Sequence, residues 1–160
     1  MKKEILKILE KDCRLSNAQI SAMLGISEDE VARIKKECED EGLILGRLTL
    51  VDWDRAGEEL VTALIEVKVT PQRGDGFDRI AERIYQYEEV ESLYLMSGAY
   101  DLTVIISGRT LKEVSTFVSS RLATIDGVVS TATHFILKKY KDKNIAFTTQ
   151  PEQQERMMFC

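Results

Sequence analysis

The chain has 160 residues, of which 44% are hydrophobic and 31% are charged, and its formal net charge at pH 7 is −5. The apolar fraction is typical of a folded protein with a core, which excludes a largely disordered chain. The negative net charge excludes a protein that coats nucleic acid without regard to sequence, because such binding needs many cations that face phosphates.

The amino-terminal part of the chain contains three apolar stripes at helical spacing. We predict a short helix around each stripe, and three such helices are enough to close one small core. The second and third helices each begin with a serine followed three residues later by Gln or Glu, which is the capping-box pattern. The stripes are Ile5, Leu6, Ile8 and Leu9, then Ile20, Met23 and Leu24, then Val31, Ile34 and Cys38.

Gly25 lies between the second and third helices, where a left-handed turn disfavours any side chain. A tight turn between two capped helices is typical of the helix-turn-helix motif. Residues 43–45 and 48–51 flank Gly46-Arg47 as the strands of a short hairpin would, which predicts a wing. The sequence therefore predicts a winged helix-turn-helix DNA-binding domain over residues 1–51, with a plain three-helix bundle as the alternative.

The third helix is the candidate recognition helix. Arg33 is the best candidate for a base contact, because its guanidinium can pair with both acceptors of guanine. The candidates for backbone contacts are basic residues and the polar residues at the helix starts, namely Lys35, Lys36, Arg47, Ser16, Asn17 and Ser27.

An acidic segment, Glu28-Asp29-Glu30, occupies the helix end that would enter the groove. These side chains stabilise the helix through its dipole, but they also repel the phosphates of a duplex. We therefore expect weak DNA binding by each protomer, which becomes effective when several protomers are linked.

Residues 52–59 follow neither a helical nor a strand period and are predicted as a linker. Residues 60–140 then alternate in the order β-α-β-β-α-β, with strands over 60–69, 93–96, 102–106 and 128–137. The helices are predicted around Phe77, Ile80, Ala81 and Ile84 and over residues 111–122. This order predicts a ferredoxin-like domain, and the whole chain is therefore of the α+β class.

The turn between the two middle strands carries a glycine, a phenol and a carboxylate in Gly98, Tyr100 and Asp101. The simplest account is a hairpin in which Gly98 takes a positive φ, but that account does not explain the two polar neighbours. Thr131 and Thr133 share one face of the last strand. Together these groups suit the ammonium and carboxylate of a free amino acid, and ordinary surface threonines are the alternative.

Residues 141–160 are predicted as a carboxy-terminal tail, in which residues 145–148 suggest an additional edge strand. The lysines from Lys138 to Lys143 suit a solvated face, with nucleic acid contact as the alternative. No apolar run approaches the length of a bilayer span, and the chain opens in an amphipathic helix instead of a signal segment. We expect a cytoplasmic protein that does not bind membranes.

Metal and catalytic constellations are absent from the sequence. Cys13, Cys38 and Cys160 have no C-x-x-C spacing, and the single histidine, His134, lies in a strand pattern where a packed or rim imidazole is the usual role. We expect no metal, no cofactor and no enzymatic activity.

These residues resemble the Lrp/AsnC family of bacterial and archaeal transcription regulators. The resemblance runs from Ile5 to about Lys139. In the first module it rests on Leu24-Gly25-Ile26-Ser27, Val31, Arg33-Ile34 and Glu41-Gly42-Leu43-Ile44. In the second module it rests on Gly98-Ala99-Tyr100-Asp101-Leu102, Gly127-Val128, Thr131 and Thr133.

The resemblance implies a function and an assembly. It implies that the second module binds a small effector, typically an amino acid, and that its sheets pair into dimers, which form rings that are often octamers. It matches Gly98, Tyr100, Asp101, Thr131 and Thr133 to the family's effector site. A related branch that decarboxylates a haem precursor is rich in histidine around its site, and this chain departs from that branch.

The expected function is therefore sequence-specific binding of double-stranded DNA by a homo-oligomeric transcription regulator that senses an amino acid or a related metabolite. The alternative is a metabolite-binding oligomer whose helix-turn-helix no longer binds DNA. The acidic start of the third helix favours the alternative.

Overall fold

The computed structural model describes residues 1–70 and 76–147. The chain forms two compact units, the first over Met1–Leu50 and the second from Val51 onwards. Most of the loop that the paired glycines predict after the first strand, residues 71–76, lies outside the described residues, as does the part of the tail from residue 148. Within the described ranges, no helix combines the length and apolar character needed to cross a membrane.

The first unit is built from three helices, α1 (Lys2–Lys11), α2 (Asn17–Leu24) and α3 (Glu28–Asp40). Each helix contributes the apolar stripe that the sequence predicts, and together the stripes close one core. The buried side chains of that core are Ile5, Leu9, Ile20, Val31, Ile34 and Cys38.

The predicted wing is not formed, because residues 43–51 contain no strand. Leu45 is 94% exposed and Leu48 is 88% exposed, so these two side chains pack on no core, and in this segment only Ile44 packs against the core of the three helices. A two-stranded hairpin without such support is at best marginally stable in water. The hairpin prediction was therefore wrong, although the three helices that it follows are as predicted.

The predicted linker begins with one turn of helix, α4 (Trp53–Ala56), which the sequence analysis did not expect. The carboxylate of Asp52 caps it by accepting from the backbone amide of Arg55 at 3.1 Å. Gly57 ends the turn with a φ of 87°.

The second unit contains a four-stranded antiparallel sheet in the order β2-β3-β1-β4. The strands are β1 (Val61–Val69), β2 (Val90–Leu95), β3 (Leu102–Gly108) and β4 (Val128–Ile136). Helix α5 (Asp78–Tyr85) connects β1 to β2, and helix α6 (Leu111–Phe117) leads from β3 towards β4. The predicted β-α-β-β-α-β order and the α+β class are confirmed.

The two helices cover one face of this sheet. Alternate residues of β1, Ala63, Ile65 and Val67, point to that face and are fully buried, together with Val104 of β3. The helices contribute Ile80, Ile84, Val114 and Phe117 to the same core. The opposite face of the sheet is not part of this core.

A π-helical turn, Val118–Leu122, extends α6 where the sequence predicts a continuous helix. Hydroxyls bond to carbonyls in this region, since Ser120 Oγ donates to the Thr116 carbonyl at 2.5 Å and Thr124 Oγ1 donates to the Ser120 carbonyl at 3.0 Å.

After β4 the chain forms a short hairpin of β5 (Lys141–Asp142) and β6 (Ile145–Ala146). The sequence predicts an additional edge strand over residues 145–148. The strand exists, but it pairs with β5 instead of joining the four-stranded sheet.

Candidate DNA-binding and ligand-binding sites

The corner between α2 and α3 has the predicted geometry. Ser16 Oγ accepts from the backbone amide of Gln19 at 3.2 Å, and Gln19 Oε1 accepts from the backbone amide of Ser16 at 2.8 Å, which completes one capping box. Gly25 ends α2 with a φ of 67°, in the left-handed region. The two helices therefore meet at a short turn whose geometry is fixed by local bonds.

The second capping box is only half formed. Ser27 Oγ accepts from the backbone amide of Glu30 at 3.2 Å, but the Glu30 carboxylate extends towards Arg33, at 3.9 Å. The hydroxyls of Ser16 and Ser27 are thus engaged as helix caps. Asn17 is also engaged, because its Oδ1 accepts from Lys35 Nζ at 3.0 Å.

The other basic candidates in the first unit face carboxylates. Arg33 contacts Glu37 at 2.5 Å, Lys36 contacts Asp40 at 3.2 Å, and Arg47 contacts Glu39 at 2.5 Å. Arg33 is 60% exposed and lies on the surface of α3. These cations can reach phosphates or bases only if they exchange their present partners for DNA.

Helix α3 as a whole is acidic. Its thirteen residues contain six carboxylates and three cations, a net charge of −3. The helix has the geometry of a recognition helix, but its charge opposes approach to a duplex.

In the second unit, Asp101 is bonded to the end of β1 through both its backbone and its side chain. Its carboxylate oxygen Oδ2 accepts from the backbone amide of Val69 at 2.8 Å, and its backbone amide donates to the carbonyl of Val67 at 3.2 Å. The carboxylate therefore holds the loop before β3 against β1.

Tyr100, Glu66 and His134 form a chain of polar contacts. Glu66 accepts a hydrogen bond from the Tyr100 hydroxyl and lies 3.0 Å from Nε2 of His134. The hydrogen bond to Glu66, followed by the negative charge of that carboxylate and by desolvation, raises the pKa of Tyr100 above its ordinary value. Glu66 is 24% exposed and lies between its two partners.

The threonines and Tyr100 lie on different faces of the sheet. Thr131 pairs with Val67 and Thr133 pairs with Ile65, so both point to the helix-covered face. Tyr100 contacts Glu66, which points to the opposite face. Of the predicted effector residues, Asp101 and Thr131 therefore lie beside Val67 of β1, Thr133 lies opposite Ile65, and the threonines do not share a surface with Tyr100.

Gly98 does not adopt the positive φ that the sequence analysis expected. The amide of Met96 donates to the carbonyl of Asp101 at 2.8 Å, which leaves four residues in the connection between β2 and β3. A connection of this length can reverse the chain through a type I turn, which needs no left-handed residue. The backbone conformation of this loop therefore does not require a glycine at position 98.

Two residues of this region, Glu66 and His134, were not predicted as site residues. Glu66 is the one charged residue in the apolar segment Ala63–Val67, and a carboxylate in the middle of a strand is a signal that could have been used. For His134, the strand pattern indicates only a packed or rim imidazole. Their contact with each other depends on the β1–β4 register, which the sequence does not state.

A separate cavity of about 600 Å³ lies between β3 and α6. Apolar side chains form part of its lining, and hydroxyls and charged groups form the rest. The lining includes Ile106, Phe117, Ser107, Thr116, Glu89 and Arg121. None of the five predicted effector residues lines it. Among residues 1–70 and 76–147, no cluster of three or more His, Cys, Asp or Glu side chains is placed to hold a metal ion.

A capped helix-turn-helix joined to a split βαβ unit defines a class of two-domain, DNA-binding regulators. Comparison with family models gives the same division. Residues 1–44 match a winged helix-turn-helix DNA-binding model, and residues 62–145 match the model of the Lrp/AsnC ligand binding domain.

Relatives with known names extend over most of the chain. The uncharacterized HTH-type transcriptional regulator YugG of Bacillus subtilis is 52% identical over 147 residues, which cover 91% of this chain and 89% of that protein. The HTH-type transcriptional regulator LrpA of Pyrococcus horikoshii is 33% identical over 139 residues, which cover 87% of this chain and 96% of that protein. The chain belongs to the Lrp/AsnC family of transcriptional regulators.

Solved structures have the same fold. Escherichia coli AsnC matches with a TM-score of 0.69 and 20% identity, over 90% of this chain and 95% of that one. The transcriptional regulator NMB0573 of Neisseria meningitidis, solved as its L-Met complex, matches with a TM-score of 0.70 and 24% identity, over 88% and 90% of the two chains.

Proposed function

We propose that this regulator binds specific DNA sites as a homo-oligomer and that an amino acid or a related metabolite alters this binding. The observation that carries the proposal is the capped corner of α2 and α3, with Gly25 in its left-handed turn, in the same chain as an Lrp/AsnC ligand-binding domain. The protein acts in the cytoplasm by binding, not by catalysis.

The effector site lies around the end of β1 and uses Gly98, Tyr100, Asp101, Thr131 and Thr133. The support from the structure is that Asp101 and Thr131 flank Val67 on opposite edges of β1. A structural relative that was solved with L-Met supports an amino acid as the ligand class. The effector acts by binding one assembly better than another, which shifts their populations.

Self-association uses the sheet face that α5 and α6 leave uncovered. Leu64, Ile105, Ile136 and Tyr94 lie on that face, and Ile136 and Tyr94 are 37% and 48% exposed. An apolar face of this kind supports pairing with a second copy. Sedimentation should give a dimer or larger ring for the parent, and Ile105→Glu should shift it towards the monomer.

The test of DNA binding is selection of genomic fragments at low and at moderate salt, with and without a panel of amino acids. A specific regulator keeps preferred sites as the salt concentration rises, because base contacts depend less on counterion release than phosphate contacts do. On a selected site, Arg33→Ala should reduce sequence preference by about 1–3 kcal/mol. Identical footprints for Arg33→Ala and the parent would remove Arg33 from the base-reading role.

The second candidate function is a metabolite-binding oligomer that no longer binds DNA. The net charge of −3 on α3 and the carboxylate partners of Arg33, Lys36 and Arg47 favour it. In that case the selection recovers no preferred fragment at either salt concentration, whereas amino-acid binding persists.

A further inference from the structure

The segment after β4 is a positively charged hairpin with a defined shape. We define the basic hairpin as residues 138–147, which contain β5 and β6. Besides the two β5–β6 pairs, the amide of Phe147 donates to the carbonyl of Tyr140 at 3.0 Å. Lys143 and Asn144 both have positive φ, 44° and 66°, as in the type I′ turn that favours tight hairpins. The lysines of this segment are therefore carried by an ordered element.

The charge of the basic hairpin contrasts with the rest of the chain. It contains four lysines, Lys138, Lys139, Lys141 and Lys143, and one aspartate, a net charge of +3. Because the whole chain carries −5, the residues outside the hairpin carry −8. A cluster of this sign in an acidic protein marks a surface that suits an anionic partner.

The hairpin lysines also have no carboxylate partner among residues 1–70 and 76–147. All four are exposed. Within the described part of the chain, none of their ammonium groups has a carboxylate within 4.0 Å. Instead, Nζ of Lys138 lies 5.0 Å from the ring centre of Tyr140, and Tyr140 is itself 73% exposed. These cations can therefore bind a polyanion without first breaking an ion pair.

The cations of the recognition helix α3, unlike the hairpin lysines, are paired with carboxylates, as Arg33 and Lys36 show. The helix as a whole has a net charge of −3. Non-specific affinity for DNA comes from cations that displace counterions from phosphates. A DNA-binding protein with such a helix needs that charge from another element.

We propose that the basic hairpin binds the phosphate backbone of double-stranded DNA. This inference rests on the proposed function, because it concerns the same DNA-bound protein. Lys139 and Lys141 are both exposed and lie two residues apart in the first arm of the hairpin, and each neutralises a phosphate. Tyr140 supplies a hydroxyl that donates to a phosphate oxygen. The contacts carry no sequence information, so they raise the affinity for all duplexes alike.

The test compares Lys139→Gln/Lys141→Gln with Arg109→Gln/Lys112→Gln in the full-length protein. The control pair removes the same charge from exposed residues of the same unit. Fluorescence anisotropy then measures Kd for a selected fragment and for an unrelated duplex over a series of salt concentrations. Sedimentation and circular dichroism check that assembly and folding are retained.

We expect the hairpin variant to lose affinity for both duplexes by the same factor. The slope of log affinity against log salt should become shallower by about 2 per protomer, the value for two lost phosphate contacts. The control variant should keep the parent slope. If the double variant does not fold, Lys139→Gln and Lys141→Gln alone carry the test with half the change in slope.

An unchanged slope in the hairpin variant would overturn the proposal. So would binding to vesicles containing anionic lipid that depends on the hairpin, if the DNA slope stays unchanged. Failure of the proposed function has a different signature, in which the parent prefers no genomic fragment but its non-specific slope still depends on the hairpin. A parent that binds no duplex at low salt refutes both.

Discussion

The carboxylate of Asp101 accepts a hydrogen bond from the backbone amide of Val69 at 2.8 Å, which joins two positions 32 residues apart. Val69 is only 5% exposed, so solvent cannot easily replace this acceptor. Asp101 therefore has a structural role in the unit whether or not it also binds an effector.

We predict that Asp101→Ala lowers the free energy of unfolding of the second unit by about 1–3 kcal/mol, because it leaves a buried amide without an acceptor. Asp101→Asn should cost less, because its side-chain oxygen can still accept. Urea denaturation of the two variants and the parent checks this difference. If Asp101→Asn is as destabilising as Asp101→Ala, the hydrogen bond is not the cause. A loss of amino-acid affinity in Asp101→Asn, at retained stability, would identify a role for the charge in ligand binding.

Substitution of two glycines in the second unit distinguishes the cost of a strained backbone from the cost of steric crowding. Gly57 and Gly127 both have positive φ, 87° and 95°, but a Cβ on Gly57 meets nothing within 4 Å, whereas one on Gly127 would lie 2.8 Å from Cδ1 of Ile80. Gly57→Ala should therefore cost about 1–2 kcal/mol from left-handed strain alone. Gly127→Ala should cost about 1–3 kcal/mol more, because Ile80 must move within a packed core. Equal losses in thermal or urea unfolding would contradict the crowding.

Tyr100 should ionise only above its ordinary pKa of 10.0, because Glu66 stabilises the neutral phenol. The sign of the effect on stability follows from the raised pKa. The contribution is fully present below the ordinary pKa and is lost as the pH rises through the folded-state value. Glu66→Gln should move the pKa of Tyr100 down towards 10.0. Alkaline titration of tyrosinate absorbance measures this change, with Tyr100→Phe identifying the signal, and identical titrations of Glu66→Gln and the parent would exclude the contact.

Because Glu37 forms an ion pair with Arg33, we predict that removing the Glu37 carboxylate increases the affinity for DNA. Glu37→Gln removes the nearer of the two carboxylates beside Arg33 and one negative charge from α3, so affinity for a selected site should rise by on the order of 1 kcal/mol. Helix stability should fall by only about 0.3–0.5 kcal/mol. The same substitution in an Arg33→Ala background provides the matched control. An equal gain in both backgrounds would assign the effect to general repulsion and not to Arg33.

The helix-turn-helix was predictable because its signals are local. Ser16 and Gly25 act within a few residues of their own position, and their preferred conformations do not depend on the rest of the fold. The wing was predicted wrongly because the formation of a strand, unlike a helix cap, depends on contacts with distant parts of the chain. Alternating leucines predict strands, but a strand forms only where a sheet or core receives those side chains, and Leu45 and Leu48 have neither.

The ligand site was harder to predict because it depends on register. Alternation shows that Thr131 and Thr133 share a face, but it does not say that this face is the one opposite Glu66. Likewise, the contact between Glu66 and His134 follows from the pairing of β1 with β4, which joins distant parts of the sequence. Glu66 in an apolar strand was visible in the sequence, but its partners were not.

The central position of β1 has a consequence for synthesis and refolding. Glu66 of β1 pairs with Ala132 of β4, so the sheet cannot be completed until a long intervening segment has been made. Closing such a loop loses chain entropy before any pairing compensates for it, which slows folding. The helical unit, held by local contacts, should reach its native state while β1 still lacks one neighbour. A nascent chain stalled before residue 128 would thus expose an apolar strand beside a finished helical unit, a natural substrate for chaperones.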